Sequence, residues 1–87
     1  MKKNDILVLG TIKKVKATNS LKSVPVTTLL KEINLSHATI RSSIRLLIKN
    51  ELVAEGYMQR NARTYYITQK GIDLINNLYK SVKTEEE

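Results

Sequence analysis

Apolar residues near the start of the chain recur at the spacing of one helix face. Because a helix turns by about 100° per residue, positions three and four apart share a side. The residues on that side are Val8, Leu9, Ile12 and Val15. The pattern predicts a helix over residues 5–17 and a polar connection over residues 18–23. Residues 24–26, Val-Pro-Val, are predicted to form a short extended piece, because Pro25 disfavours helical geometry in the residue before it.

Two more helices are predicted close together in the middle of the chain. The first begins at Thr27, and its inward positions are Leu29, Leu30 and Ile33. After a break at residues 34 and 35, Ser36 can cap the next helix, because its side-chain oxygen accepts an orphan amide hydrogen. That helix extends to about Lys49, and its apolar stripe consists of Ile40, Ile44 and Leu47.

The last third of the chain predicts a β-hairpin and a final helix. Residues 52–59 and 64–68 are rich in valine, tyrosine and threonine, which favour strands. The polar sequence RNAR, residues 60–63, favours the turn between them. Thr68 then caps a helix whose inward residues are Ile72, Ile75, Leu78, Tyr79 and Val82.

The predicted order of elements is therefore α-β-α-α-β-β-α, a mainly α fold with a small β-hairpin. Residues 1–84 are expected to form a single domain, and the acidic residues 85–87 a disordered tail. A chain this short buries only about 60% of the surface that its unfolded form exposes, so a homodimer would supplement a thin core.

The charge of the chain points to a polyanionic partner. Fifteen lysines and arginines against eight acids give a net charge of +7. Three of those acids are the last three residues, so residues 1–84 carry fifteen cations, five acids and a net charge of +10. A domain this basic attracts nucleic acid, although surplus lysine that only confers solubility is the alternative.

Several classes of function receive no support from the sequence. The chain has no cysteine, and its single histidine, His37, has no cysteine or carboxylate neighbour at ligand spacing, so no metal site is expected. Phosphate-binding loops and nucleophile motifs are absent from the sequence, so we expect neither cofactor nor catalytic residues. No apolar run approaches the ~18 residues of a membrane span, and a cytoplasmic protein is expected.

The helix that begins after Ser36 carries the candidate DNA-reading surface. The residues expected on or beside its outward face are Ser36, His37, Thr39, Arg41, Ser42, Arg45 and Lys49. No acid occurs between Ser36 and Lys49. Such a helix fits the major groove of B-DNA, where arginine can bond bidentately to guanine. A helix face that is simply solvated is the alternative.

The predicted hairpin tip offers a second cluster of positive charge. It consists of Arg60, Asn61 and Arg63. Arginine suits a narrow minor groove because the negative potential is enhanced there. The alternative is a turn that needs polar residues for its own geometry.

Three stretches resemble the winged helix-turn-helix domains of small bacterial regulators of the MarR and PadR type. They are VTTLLKEINLSHATIRSSIRLLIKNELV, RNARTYYIT as the wing, and ITQKGIDLI at the entry to the last helix. The resemblance implies a homodimeric protein that binds double-stranded DNA, most simply a transcriptional repressor. Such domains usually place a glycine before the strand that begins at Leu52. Here Asn50 precedes Glu51, and Asn50 is expected to adopt the left-handed conformation instead.

Four leucines are candidates for a dimer interface, namely Leu7, Leu46, Leu74 and Leu78. Leu46 lies beside the outward face of the candidate reading helix. It could pack under the wing, or it could pair the reading helices of two subunits.

Pairing through that helix resembles the TubR-type centromere-binding adaptors of plasmid and phage partition systems, which are equally small and basic. That resemblance implies cooperative binding to repeated DNA sites and a tubulin-like filament protein as partner. A repressor and a partition adaptor are therefore both hypotheses from the sequence, and a module used only for protein contacts is a third.

Overall fold

The chain folds as four α-helices and one antiparallel hairpin in the predicted order. The computed structural model describes residues 2–86, and the side chains of residues 2–78. The elements are α1 (Lys3–Lys14), α2 (Val26–Glu32), α3 (His37–Lys49), β1 (Val53–Glu55), β2 (Tyr65–Ile67) and α4 (Gln69–Glu86). A short 3-10 helix, Ser20–Lys22, occupies the predicted polar connection.

Helix α1 is the centre of the core, because it packs against α2, α3, α4 and β2. Its residues Val8, Leu9 and Ile12 are fully buried, as the apolar pattern predicts. They meet the stripe of α3, which consists of the buried residues Ile40, Ile44 and Leu47. Burial of one such side chain contributes about 1.5–3 kcal/mol, so this contact between α1 and α3 fixes which face of α3 remains outside.

The hairpin is shorter than predicted but contains an extra pairing. Strands β1 and β2 pair over three residues each, with Val53 opposite Ile67. Val24, the first residue of the predicted extended piece, pairs with Tyr65 through two backbone hydrogen bonds of 2.9 and 2.8 Å. The segment that leads into α2 is therefore tied directly to the second hairpin strand. The prediction of an extended piece is wrong for Val26, which already begins α2 because the restriction imposed by Pro25 acts on the residue before it.

Buried hydroxyl groups lie just past the last pair of β1 and β2, on the side of the hairpin tip. The hydroxyl oxygens of Ser23 and Thr64 lie 2.8 Å apart, and Ser23 also donates to the carbonyl of Ser20 at 2.7 Å. Thr64 donates to the carbonyl of Tyr57. Gly56 lies against this cluster, where a Cβ atom would stand 2.0 Å from the Ser23 hydroxyl oxygen. These contacts explain why regular pairing ends after Glu55 on the first strand.

Both α1 and α3 end in left-handed residues that are not glycine. Lys16 has a φ of 62° and stops α1 short of residue 17, the predicted end of this helix. At the end of α3, Glu51 has a φ of 62°, whereas Asn50 has a φ of −91°. The amides of Glu51 and Leu52 donate to the carbonyls of Ile48 and Leu47, both at 2.9 Å, which is a Schellman motif.

The prediction that Asn50 takes the left-handed conformation is therefore wrong by one residue. The Asn50 side chain instead donates to the carbonyl of Leu46 at 2.8 Å. That bond occupies the amide group in capping the helix end. The glycine that related domains place before the strand is replaced here by Glu51 under backbone strain.

We expect Glu51→Gly to stabilise the protein by about 0.5–1 kcal/mol. The left-handed conformation costs a non-glycine residue about 1–2 kcal/mol, and glycine at position 51 would remove this cost. Roughly half of that gain in stability is offset, because glycine has more conformational freedom to lose when the chain folds. Thermal unfolding followed by circular dichroism measures the change. Glu51→Ala is the control, and an equal rise for both variants would contradict the explanation by backbone strain.

The final helix begins as predicted and extends further than predicted. The Thr68 hydroxyl accepts a hydrogen bond from the Gly71 amide at 3.1 Å, which confirms its capping role. Helix α4 runs to Glu86, so it includes two residues of the predicted disordered tail, while Glu87 lies outside the described residues. The predicted inward positions Tyr79 and Val82 lie beyond the described side chains. No helix in the described part is long and apolar enough to cross a membrane.

Candidate nucleic-acid interface

Helix α3 turns its predicted reading face outward. The side chains of Ser36, His37, Arg41, Ser42, Arg45 and Lys49 are exposed, and Thr39 is half-buried. The exposure follows from the burial of the opposite stripe, since a helix that buries Ile40, Ile44 and Leu47 presents the residues of its opposite face to solvent. The positions of all seven predicted residues at the surface agree with the sequence pattern, and their contact with DNA stays a prediction.

The first turn of α3 is fixed by a pair of hydroxyl groups. The Ser36 oxygen accepts a hydrogen bond from the Thr39 amide at 3.1 Å, which confirms Ser36 as the N-cap. The Ser36 hydroxyl also donates to the Thr39 hydroxyl oxygen at 2.8 Å. The Ser36 proton is therefore already used within the helix, and the sequence pattern does not predict this pairing.

The positive charges of α3 have no neutralising neighbour. Among the side chains of residues 2–78, the ion pairs within 4.0 Å are Lys14–Glu32, Arg63–Glu55 and Lys70–Glu51. Arg41, Arg45 and Lys49 take part in none of these pairs. Three of the five acids outside the terminal cluster thus pair with other cations, and none of the ion pairs among the described side chains involves a cation of α3.

The hairpin tip is a two-residue turn that contains one arginine, Arg60, and a second arginine, Arg63, follows the closing residue Ala62. Gln59 and Ala62 close the turn through two backbone hydrogen bonds of 2.9 Å each. Arg60, the first residue inside the turn, has a φ of 58°, and both it and Asn61 are exposed. This geometry projects the Arg60 side chain from the end of the hairpin.

The third predicted residue of the tip, Arg63, is partly neutralised. Its guanidinium lies 3.1 Å from a Glu55 carboxylate oxygen, with both side chains largely exposed. Sequence reasoning missed this pair because it depends on the register of the hairpin. Once Glu55 is known to face Tyr65, Arg63 lies diagonally across the two strands, within the reach of a long side chain.

The chain matches a known family model. The match includes the short helix, the tight turn, the outward helix and the hairpin described above. The model, described as winged helix-turn-helix, covers residues 10–86. The chain belongs to the winged helix-turn-helix family. In this family's terms α3 is the recognition helix and the β1–β2 hairpin is the wing.

Relatives within the family include a protein of about the same length. The chain is 34% identical over 76 residues to the DNA-binding protein TubR of Clostridium botulinum C phage, a match that covers 87% of this chain and 94% of the relative. The solution structure of the DNA-binding TubR fragment from Clostridium botulinum superposes with a TM-score of 0.75 at 33% identity, covering 90% of this chain and 96% of the fragment.

The fold also resembles a larger winged-helix protein. A mutant of MepR from S. aureus, bound to an oligodeoxyribonucleotide, superposes with a TM-score of 0.80 at 15% identity. The match covers 99% of this chain and 61% of MepR. At that identity the likeness concerns the fold alone.

The four leucines predicted at a dimer interface lie on separate surfaces. Leu7 and Leu78 line one groove of about 940 Å³ between α1 and α4, together with Ile6, Ile33 and Ile75. Leu74 lines a different depression beside Leu52. Leu46 is 37% exposed on the recognition helix and Leu7 is 44% exposed on α1. The structure therefore places the four leucines at three locations: the groove between α1 and α4, the depression beside Leu52 and the exposed side of the recognition helix.

His37 is the single histidine of the chain, and the sequence predicts no metal site around it. His37 is exposed at the start of the recognition helix. No group of three or more histidines, aspartates or glutamates in the described part of the chain is placed to hold a metal ion.

Proposed function

We propose that this protein is a non-enzymatic adaptor of the TubR type, which binds repeated sites on double-stranded DNA as a homodimer in the cytoplasm. A tubulin-like filament protein is its proposed partner. The observation that carries the DNA-binding role is the recognition helix, which exposes three cations outside the ion pairs of the described side chains, and no acid. Cations that neutralise phosphates release condensed counterions, so a face of this kind favours binding to DNA.

The adaptor role is supported more strongly than the repressor role. The TubR relative is matched over 94% of its length, so the likeness extends over nearly the whole of that protein. MepR is matched over 61% of its length and at low identity. A repressor is consistent with the shared fold, and it is retained as the second outcome of the experiment below.

Dimerisation through the recognition helix leads to a specific expectation for Leu46. A carboxylate introduced by Leu46→Glu would be buried without a partner at that interface, which is strongly unfavourable. We expect the variant to be monomeric in analytical ultracentrifugation at micromolar concentration, where the wild type is dimeric. The circular dichroism spectrum of the variant is expected to be that of a folded protein, because Leu46 is already 37% exposed in the single chain.

Leu7→Glu is the matched control on the terminal helices. It places the same charge in the groove between α1 and α4, at a residue whose exposure is similar to that of Leu46. A monomeric Leu7→Glu variant and a dimeric Leu46→Glu variant would transfer the interface to α1 and α4. That result would contradict a TubR-type arrangement while leaving DNA binding in place.

The function is tested by titrating the protein onto the DNA upstream of its own coding sequence and onto a scrambled duplex, at two salt concentrations, with footprinting. Protection that spreads cooperatively over several repeats supports the adaptor. Protection of one short palindrome instead supports a repressor. Equal affinity for both duplexes, with a steep salt dependence, would contradict sequence-specific binding altogether.

A further inference from the structure

The hydrogen-bonding polarity of the recognition helix carries an inference about its target. We propose that this helix reads hydrogen-bond acceptors in the major groove and that Thr39, at its leading end, is a specificity-determining donor to the N7 atom of a purine. The acceptors are the N7 atoms of purines, O6 of guanine and O4 of thymine. The inference rests on the proposed function, because it assigns a chemistry to the bases that the same surface contacts.

The polarity of Thr39 is set by its neighbour. A hydroxyl group has one proton to donate and two lone pairs to accept. The Ser36 hydroxyl donates to the Thr39 oxygen at 2.8 Å, which occupies a lone pair and leaves the Thr39 proton to point elsewhere. Among the described residues no acceptor takes that proton, whereas Thr11 on α1 donates its own to the Leu7 carbonyl at 2.7 Å. Thr39 is thus a donor with its proton still available.

The rest of the exposed face has the same polarity. Arginine and lysine carry donors and no acceptors, which applies to Arg41, Arg45 and Lys49. Aspartate, glutamate, asparagine and glutamine are all absent from residues 36–49. Side chains that recognise the amino groups of adenine and cytosine require an acceptor. Acceptor capacity is limited to Ser42, His37 and the remaining lone pairs of Ser36 and Thr39. The three cations supply donors only, so donors dominate the face.

The base edges in the major groove fall into two groups, those that accept a hydrogen bond from such a face and those that do not. In the major groove guanine presents N7 and O6, and thymine presents O4, all of which accept hydrogen bonds. The adenine and cytosine amino groups present protons instead, and a donor facing them would remain unpaired. Adenine remains readable through N7. The contacted positions are therefore expected to depend on N7, O6 and O4 rather than on the amino groups.

Duplexes with 7-deazaguanine or 7-deazaadenine test this dependence directly. Each base keeps its Watson–Crick edge and loses the N7 acceptor. The probe is the fragment protected in the footprint, substituted at one purine at a time, with affinity measured by fluorescence anisotropy. We expect the wild type to lose affinity by about 2- to 10-fold at the purine that Thr39 contacts, as for the loss of one hydrogen bond.

The Thr39→Val variant assigns the contact to this side chain. Valine keeps the shape of threonine and leaves the residue 39 amide bonded to the Ser36 oxygen, so the helix cap is preserved. Thr39→Val is expected to bind the natural duplex about 2- to 10-fold more weakly and to show no further loss at one 7-deaza position. Thr39→Ser keeps the hydroxyl and is expected to keep the N7 dependence at that position.

Two results would overturn the proposal, and they are distinguishable. A wild-type protein that prefers its natural site, but tolerates 7-deaza bases at every purine or keeps its N7 dependence in full in Thr39→Val, would contradict acceptor reading by Thr39 and leave the proposed function standing. A protein without preference for its natural site over the scrambled duplex would remove the proposed function and this inference together.

Discussion

A Gly71→Ala variant is expected to lose about 1–3 kcal/mol of unfolding free energy, which is a large share of the stability of a domain this small. A Cβ atom at residue 71 would stand 2.4 Å from the Leu52 carbonyl oxygen and 2.7 Å from a side-chain carbon of Ile67. The first obstacle is backbone, and the same carbonyl accepts a hydrogen bond from the Thr68 amide at 3.0 Å. Urea unfolding followed by circular dichroism measures the loss.

Gly10→Ala is the matched control with the opposite expected sign. Gly10 lies within α1, where a Cβ atom would have the Ile75 Cδ1 as its nearest neighbour at 4.0 Å, an ordinary contact distance. Alanine in a helix interior is favoured over glycine by about 0.5–1 kcal/mol, so this variant is expected to gain stability. A Gly71→Ala variant as stable as Gly10→Ala would show that α4 can move away from the Leu52 carbonyl without cost.

The double variant Arg41→Ala/Arg45→Ala is expected to lose about 2–6 kcal/mol of specific binding free energy, if each arginine contributes as a base contact does. Both side chains are exposed on the recognition helix and lie in no ion pair among the described residues. Binding to the footprinted duplex and to a random duplex at matched salt separates base contacts from phosphate contacts. The specific duplex is expected to suffer the larger loss.

Lys3→Ala/Lys14→Ala removes the same charge from α1. Both lysines are exposed, and Lys14 lies 3.6 Å from Glu32, so its charge is already partly compensated. This control is expected to weaken both duplexes slightly and equally through the general field. If the two double variants have equal effects on the two duplexes, the arginines act only through net charge, and the recognition helix does not read bases.

The recognition helix is the most predictable part of the fold. Ser36 is a strong local cap, and the spacing of Ile40, Ile44 and Leu47 allows only one buried face, so both the bounds and the outward residues follow from the sequence. The family resemblance also includes the ITQKG stretch. The structure supplies its physical reason, since Gly71 passes too close to the Leu52 carbonyl for any side chain.

Features that depend on contacts between distant segments are not predictable in the same way. The left-handed residue is Glu51 rather than Asn50 because the amide of Leu52 must reach the Leu47 carbonyl while the Leu52 side chain enters the core. The Arg63–Glu55 pair depends on hairpin register. The donor polarity of Thr39 depends on which of two neighbouring hydroxyl groups gives its proton, a choice that residue types alone leave open.

The pairing of Val24 with Tyr65 helps to fix the distance between the wing and the recognition helix. It ties the segment before α2 to the wing, while the Leu52 amide ties the other end of the wing to α3 at 2.9 Å. Wing and recognition helix therefore keep one separation. Each base pair advances the duplex by about 3.4 Å and turns it by roughly a tenth of a revolution. One extra base pair between the site contacted by the wing and the site contacted by the recognition helix would therefore move one of them out of reach. Natural target repeats should consequently conserve spacing even where they vary in sequence.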